Sequence, residues 1–140
     1  MFNLDPNMRC FLCNIHGEDH NHLFFQCELS TLLWTMVQVK CIIQIPVLNW
    51  KNLINWLSNE WRLKNLKTLS WKLSLASTVY HIWMECNYRL HNRSSNSVTH
   101  IRDKIFDMAR MKMASLKGVQ DTTENRETAM VWNLPISIFI

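Results

Sequence analysis

Apolar side chains recur at intervals of three and four along most of this chain, which is the period of an amphipathic helix. Leu29, Leu32, Leu33, Met36 and Val37 mark a first helix over residues 23–40, with Glu28 giving it an acidic start. Residues 41–46 are a short β-branched run, read as a loop or a short extended piece that ends at Pro46. Asn49 is a candidate cap for a helix over 50–61, with Leu53, Ile54 and Leu57 inside. The longest periodic stretch is 66–91. At about 100° per residue, Leu66, Leu69, Leu73, Ala76, Tyr80, Trp83 and Leu90 share one arc and Trp71, Leu75, Val79, Ile82 and Cys86 the next. Lys67, Ser70, Ser74, Ser77, Thr78, His81 and Glu85 take the narrow remainder, so the pattern predicts a central helix with a small polar strip. Asn87 falls inside the apolar stripe and needs a hydrogen-bond partner. The polar run 92–97 supplies an N-cap for a last helix over 98–117, striped by Val98, Ile101, Ile105, Met108, Ala109 and Leu116 and stopped by Gly118. Lys112 projects into that stripe, its stem packed and its ammonium in water. Residues 119–126 read as polar and mobile. Residues 132–140 are apolar again, either docked on the helices or a weak end.

Composition fits a helical fold. The chain has 140 residues, with seven Trp, six Phe and eight Met to fill one core, and only two Gly and three Pro for tight turns. The net charge of +4 is uneven: residues 60–120 carry eleven basic and four acidic side chains, a net of +7, the one electrostatic pointer to a nucleic-acid partner. No run of eighteen apolar residues exists, which excludes a membrane-spanning helix. The first residues lack the basic and apolar regions of a signal peptide. An intracellular, reducing location is therefore expected, where clustered cysteines bind metal more often than they pair.

Such a cluster is present. Cys10, Cys13, His22 and Cys27 follow the spacing C-x2-C-x8-H-x4-C within eighteen residues. Three thiolates and an imidazole complete the tetrahedral set of a structural Zn2+ site, and the polar run 14–21 between the second and third ligands reads as a loop. A buried thiol cluster or a stray disulfide is the plainer alternative. His16 and His20 lie in the same loop, and His22 is favoured over them by its short gap to Cys27. The remaining cysteines, Cys41 and Cys86, have no motif around them and read as buried thiols. Catalysis has little to stand on: there is no Asp-Asp pair, no glycine-rich phosphate loop, and four protein ligands leave the zinc no position for water. For nucleic acid, the candidates are Phe11 beside the first cysteine and the cluster Arg62, Lys64, Lys67 and Lys72. Phe24 and Phe25 start a helix and read as core. Lys104, Arg110 and Lys117 do not share a face, and scattered lysines are most often plain solvation.

The knuckle also carries a resemblance. Cys10, Leu12, Cys13, Glu18, His22, Leu23, Phe24, Phe25, Cys27 and Trp34 resemble the zinc-binding domain that follows the reverse transcriptase in plant non-LTR (LINE-type) retroelements. Tyr80, Ile82, Trp83, Glu85 and Asn87 resemble that family's Tyr-x-Ile-Trp-x-Glu-Arg-Asn segment, with Cys86 where the family usually has Arg. Residues 101–105 form a weaker third block. The likeness covers roughly residues 9–117 and implies a non-catalytic zinc-binding region that holds RNA or DNA beside a polymerase part. The family's helical stretch before the first cysteine pair has only nine residues of room here, so the resemblance implies an N-terminally truncated piece of a larger polyprotein. The expected fold is mostly α: a small Cys3His zinc knuckle followed by three or four packed helices. Residues 1–40 would hold the knuckle and first helix, 41–118 the helical region with the central helix 66–91 and the basic helix 98–117, and 119–140 a tail. Two other readings compete: a helical protein-interaction module with a purely structural zinc, docked on the reverse transcriptase portion, and an inert retroelement remnant.

Overall fold

Side-chain caps set where the helices start. In the computed structural model, which describes residues 10, 12–13, 19–43, 49–60 and 65–140, Asn49 accepts from the Asn52 N–H at 2.9 Å, Asn65 from Thr68 at 2.8 Å, Ser97 from His100 at 3.2 Å and Thr122 from Asn125 at 3.1 Å. Each side chain satisfies one of the backbone donors that a helix start leaves without an intrahelical partner. The described elements are a π-helical turn His22–Gln26, then α1 Glu28–Cys41, α2 Trp50–Glu60, α3 Leu66–Asn92, α4 Val98–Ala114, α5 Thr123–Val131 and a 3-10 turn Ile136–Ile138. No strand occurs among the described residues; Val119 and Phe139 form one isolated parallel bridge. The fold is mostly α, with the Cys/His cluster near the N-terminal end. Phe11, Arg62, Lys64, His16 and the Leu57 side chain lie outside the described residues.

α3 is central, packing against α4, α1, α5 and the π-helical turn. Its buried face, however, is the strip that the periodicity assigned to water. Ser70, Ser74, Ser77, Thr78 and Glu85 are buried, together with Leu75, Ile82 and Cys86. Tyr80, Trp83 and Leu90, expected in the core, are 44%, 38% and 46% exposed. The reason is steric and polar at once. Small side chains let neighbouring helix axes approach. Their hydroxyls need no water, because Thr78 donates to the Ser74 carbonyl at 2.6 Å and Ser77 to the Ile105 carbonyl of α4 at 3.0 Å. No buried side-chain N or O among the described residues lacks a partner, so this polar face is buried without an unpaired group. Asn87 finds its partner on its own helix, donating to the Trp83 carbonyl at 3.0 Å.

The other helices shift their stripes by smaller amounts. α4 buries Ile101, Ile105, Ala109 and Met113, whereas Met108 and Lys112 are exposed. α1 buries Leu33, Trp34 and Val37, and leaves Leu32 outside. Gly118 takes φ +70°, the left-handed region open to glycine without penalty, and turns the chain into the bridge.

Residues 119–140 pack rather than trail. The reading of 119–126 as mobile is corrected by α5, whose Asn125 is buried and accepts from the Leu66 N–H at 3.0 Å, closing the start of α3. Trp132 and Ile138 are buried as well. Arg110 donates to the Trp132 and Asn133 carbonyls at 3.2 and 2.7 Å, and Lys40 to the Val131 carbonyl at 2.9 Å. Lys40 also stands over the Trp132 ring, 5.2 Å from its centroid, a cation–π contact. Helix propensity did not announce α5, because Asn and the Thr residues favour turns and caps until tertiary partners take their hydrogen bonds.

Candidate metal centre

Two short pieces of chain build the site. The first is the turn at Leu12 and Cys13 that follows Cys10. The second is the π-helical turn, closed by the Cys27 N–H donating to the His22 carbonyl at 2.7 Å. A bond from i+5 to i sets residues five apart one above the other, which an α-turn does not do. His22 and Cys27 therefore face the same point. The sequence suggests a loop returning as the first turn of a helix; the structure spans the four-residue gap with a wider π-turn. Asp19 anchors its start, its carboxylate accepting from the His22 N–H at 2.8 Å.

Cys10, Cys13, His22 and Cys27 offer ligand atoms that all lie within 4.8 Å of one another. The Cys10 and Cys27 sulfurs are 3.9 Å apart, and the Cys13 sulfur is 3.3 Å from His22 Nε2. Zinc–ligand bonds of about 2.3 Å to sulfur and about 2.0 Å to nitrogen imply tetrahedron edges of about 3.5–3.8 Å, and both distances lie close to that range, one just above it and one just below. Cys10, Cys27 and His22 are buried and Cys13 is half-buried. The thiols also respond to one another. The Cys27 thiol hydrogen-bonds Cys10 and, against the effect of burial, lowers the Cys10 pKa to about 5. Cys27 is pushed up, first by that same contact and then by burial. The metal ligand is the thiolate, so a dication that binds these side chains displaces their thiol protons. Cys3His with four filled positions is a structural zinc set, and Zn2+ is the ion these donors fit. His20 is exposed and outside the cluster.

Aromatic packing holds the turn from beneath. Leu23, Phe24 and Phe25 are buried. Phe25 stacks on Trp34 of α1 at 5.8 Å and meets Trp50 of α2 edge-on at 4.9 Å; Phe24 meets Trp50 at 5.4 Å. The Trp34 indole donates to the Phe24 carbonyl, and Ser30 to the Leu23 carbonyl. Phe24 and Phe25 are core residues, as read from the sequence.

From above, α3 reaches the cysteine turn directly. Arg89 donates to the Leu12 carbonyl at 2.8 Å and to Glu85 at 2.8 Å. Glu85 also accepts from the Asn96 backbone and side chain, each at 2.8 Å. Burial alone would raise the Glu85 carboxyl, but the Arg89 and Asn96 donors outweigh it and hold it below its ordinary value. Sequence reasoning missed this clamp. The available signal was an acid and a base four apart on a helix, with the acid on a strip made mostly of Ser and Thr.

The two described lysines of the proposed basic cluster do not come together. Lys67 lies over Trp71, 5.6 Å from its centroid, in a cavity shared with α5 residues Glu124 and Glu127. Lys72 lines a different cavity with Leu69, Leu116 and Gly118. Cys41 and Cys86 are buried free thiols; Cys41 donates to Ser74 at 3.5 Å and burial pushes its pKa up. No helix among the described residues is long and apolar enough to cross a membrane.

This fold and this donor set define a helical protein organised around a structural zinc site. Residues 1–34 match the family described as zinc-binding in reverse transcriptase, so the N-terminal segment is similar to a zinc-binding region of retroelement origin. No curated protein and no solved structure matches the chain.

Proposed function

We propose that this chain is a non-catalytic zinc-binding region of a LINE-type retroelement polyprotein and that it helps hold RNA or DNA beside the reverse transcriptase. One observation carries the reading: a closed Cys3His set, with all ligand atoms within 4.8 Å, in a segment that matches a reverse transcriptase zinc-binding family. The excess of basic over acidic side chains across 60–120 supports a polyanionic partner. The test is the affinity of the zinc-loaded chain for labelled RNA and DNA oligonucleotides as salt is raised. Steep weakening with salt is the expected result. Absence of binding at low salt refutes the reading.

A second reading, a protein-docking module with a purely structural zinc, is favoured by the exposed Tyr80, Trp83 and Leu90 of α3. Contiguous apolar side chains at a surface often mark contact with another protein. In that case the zinc-loaded chain binds the reverse transcriptase portion of such a polyprotein and no oligonucleotide.

A further inference from the structure

α3 and α4 run antiparallel. The Ser77–Ile105 and Glu85–Asn96 hydrogen bonds fix their register. On one side of this hairpin they leave a groove of about 170 Å³ lined by His81, Met84, Glu85, Tyr88, His100 and Lys104 among others. Met84 and Tyr88 are 42% and 38% exposed, and Tyr80, one turn before Met84, is 44% exposed. These three side chains stand four residues apart and form one ridge, about 12 Å long at 1.5 Å per residue. The facing wall of α4 carries His100 and Lys104 at the same spacing, both exposed.

The carboxylate in the groove is Glu85, and its oxygens are taken by Arg89 and Asn96. The acids of α4, Asp103 and Asp107, line a separate cavity with Lys40, Phe106 and Arg110. The groove therefore presents aromatic side chains, a thioether, imidazoles and the Lys104 ammonium, with its carboxylate already neutralised. Aromatic rings stack on bases whatever their sequence, and a cation beside them meets a phosphate. A protein segment would satisfy the apolar part of this surface but gives Lys104 no matched acid unless it is itself acidic. A nucleic-acid strand supplies an anion at every step.

We propose that the α3–α4 groove, with Tyr80, Met84 and Tyr88 on one wall and His100 and Lys104 on the other, takes the unpaired bases and phosphates of a single-stranded nucleic acid. The proposal rests on the nucleic-acid reading above and names its surface. It differs from the basic cluster at 62–72 and from the knuckle ring Phe11.

The zinc-loaded full chain is titrated against fluorescent single-stranded oligo-U, oligo-dT and a blunt duplex, with Tyr88→Ala, Tyr88→Phe and Lys104→Gln alongside. Zinc content and helicity confirm that each variant is folded, as expected for exposed positions. Tyr88→Ala weakens single-strand binding about 5- to 100-fold, the cost of one lost stacking platform, and the duplex much less. Tyr88→Phe keeps the ring and stays near the parent. Lys104→Gln lowers the slope of log affinity against log salt by about 0.7. If the chain binds oligonucleotides and the alanine variant binds them equally well, the groove is not the site, while the nucleic-acid reading stands. If the chain binds no oligonucleotide, both fall. Binding to a reverse transcriptase fragment that Tyr88→Ala abolishes, with no oligonucleotide bound, assigns the groove to protein and overturns the proposal.

Discussion

Each zinc ligand is a single side chain of a four-membered set, so the centre is sensitive to one change. Cys10→Ser or Cys13→Ser is expected to release the metal, as measured by zinc content after purification, because the site loses one thiolate and with it much of its affinity. Zinc retained one-to-one in the double variant would show that other residues hold it. Core residues behave differently along one helix. Ile82 is fully buried, and Ile82→Ala is expected to cost about 2–5 kcal/mol in urea melts of zinc-saturated protein. Trp83, its neighbour and 38% exposed, is expected to lose less than half as much on truncation to Ala. The ligands were legible in the sequence because thiols and imidazoles at tight spacing have few other uses. The faces of α3 were not, because a hydrophobicity pattern scores Ser and Thr as polar. It does not see that a hydroxyl bonded to a carbonyl one turn back is ready for burial, or that a small side chain is what a close helix contact needs.

At the level of elements, the joints between helices are polar. Arg89 and Glu85 tie α3 to the cysteine turn and to the loop before α4. The Glu85 carboxyl lies below its ordinary value of 4.5. Folding thus favours its charged form: its contribution is complete above that value and disappears as pH falls through the lower folded value. Glu85→Gln is expected to be less stable than the parent at neutral pH, and the gap between their urea midpoints to close below pH 4.5; a gap independent of pH rejects the ion-pair account. Asn125 does a similar service at the other end of α3. Asn125→Ala leaves the buried Leu66 N–H without its acceptor, an expected cost of about 1–3 kcal/mol. The caps at Asn49 and in the run 92–97 were readable because caps act locally. The joints were not, since Arg89 meets Leu12 and Leu66 meets Asn125 only after the chain has folded back.

Across the whole molecule the two ends of the chain serve one core. The zinc-bearing turn covers α1 and α3, and residues 119–140 bury Trp132 and Ile138 against the helices. Ending the chain at Gly118 is expected to lower the melting temperature clearly and to expose dye-binding apolar surface, even with zinc present; an unchanged melt would mark the segment as dispensable. The Arg89–Leu12 contact joins residues 77 positions apart, whereas the four ligands lie within eighteen. During synthesis at about 5–20 residues per second, Arg89 is made about 4–15 seconds after Leu12. The ion therefore meets a complete ligand set before its clamp exists. Zinc is therefore expected to exchange faster from a chain ending before α3 than from the full chain, in which Arg89 holds the Leu12 carbonyl.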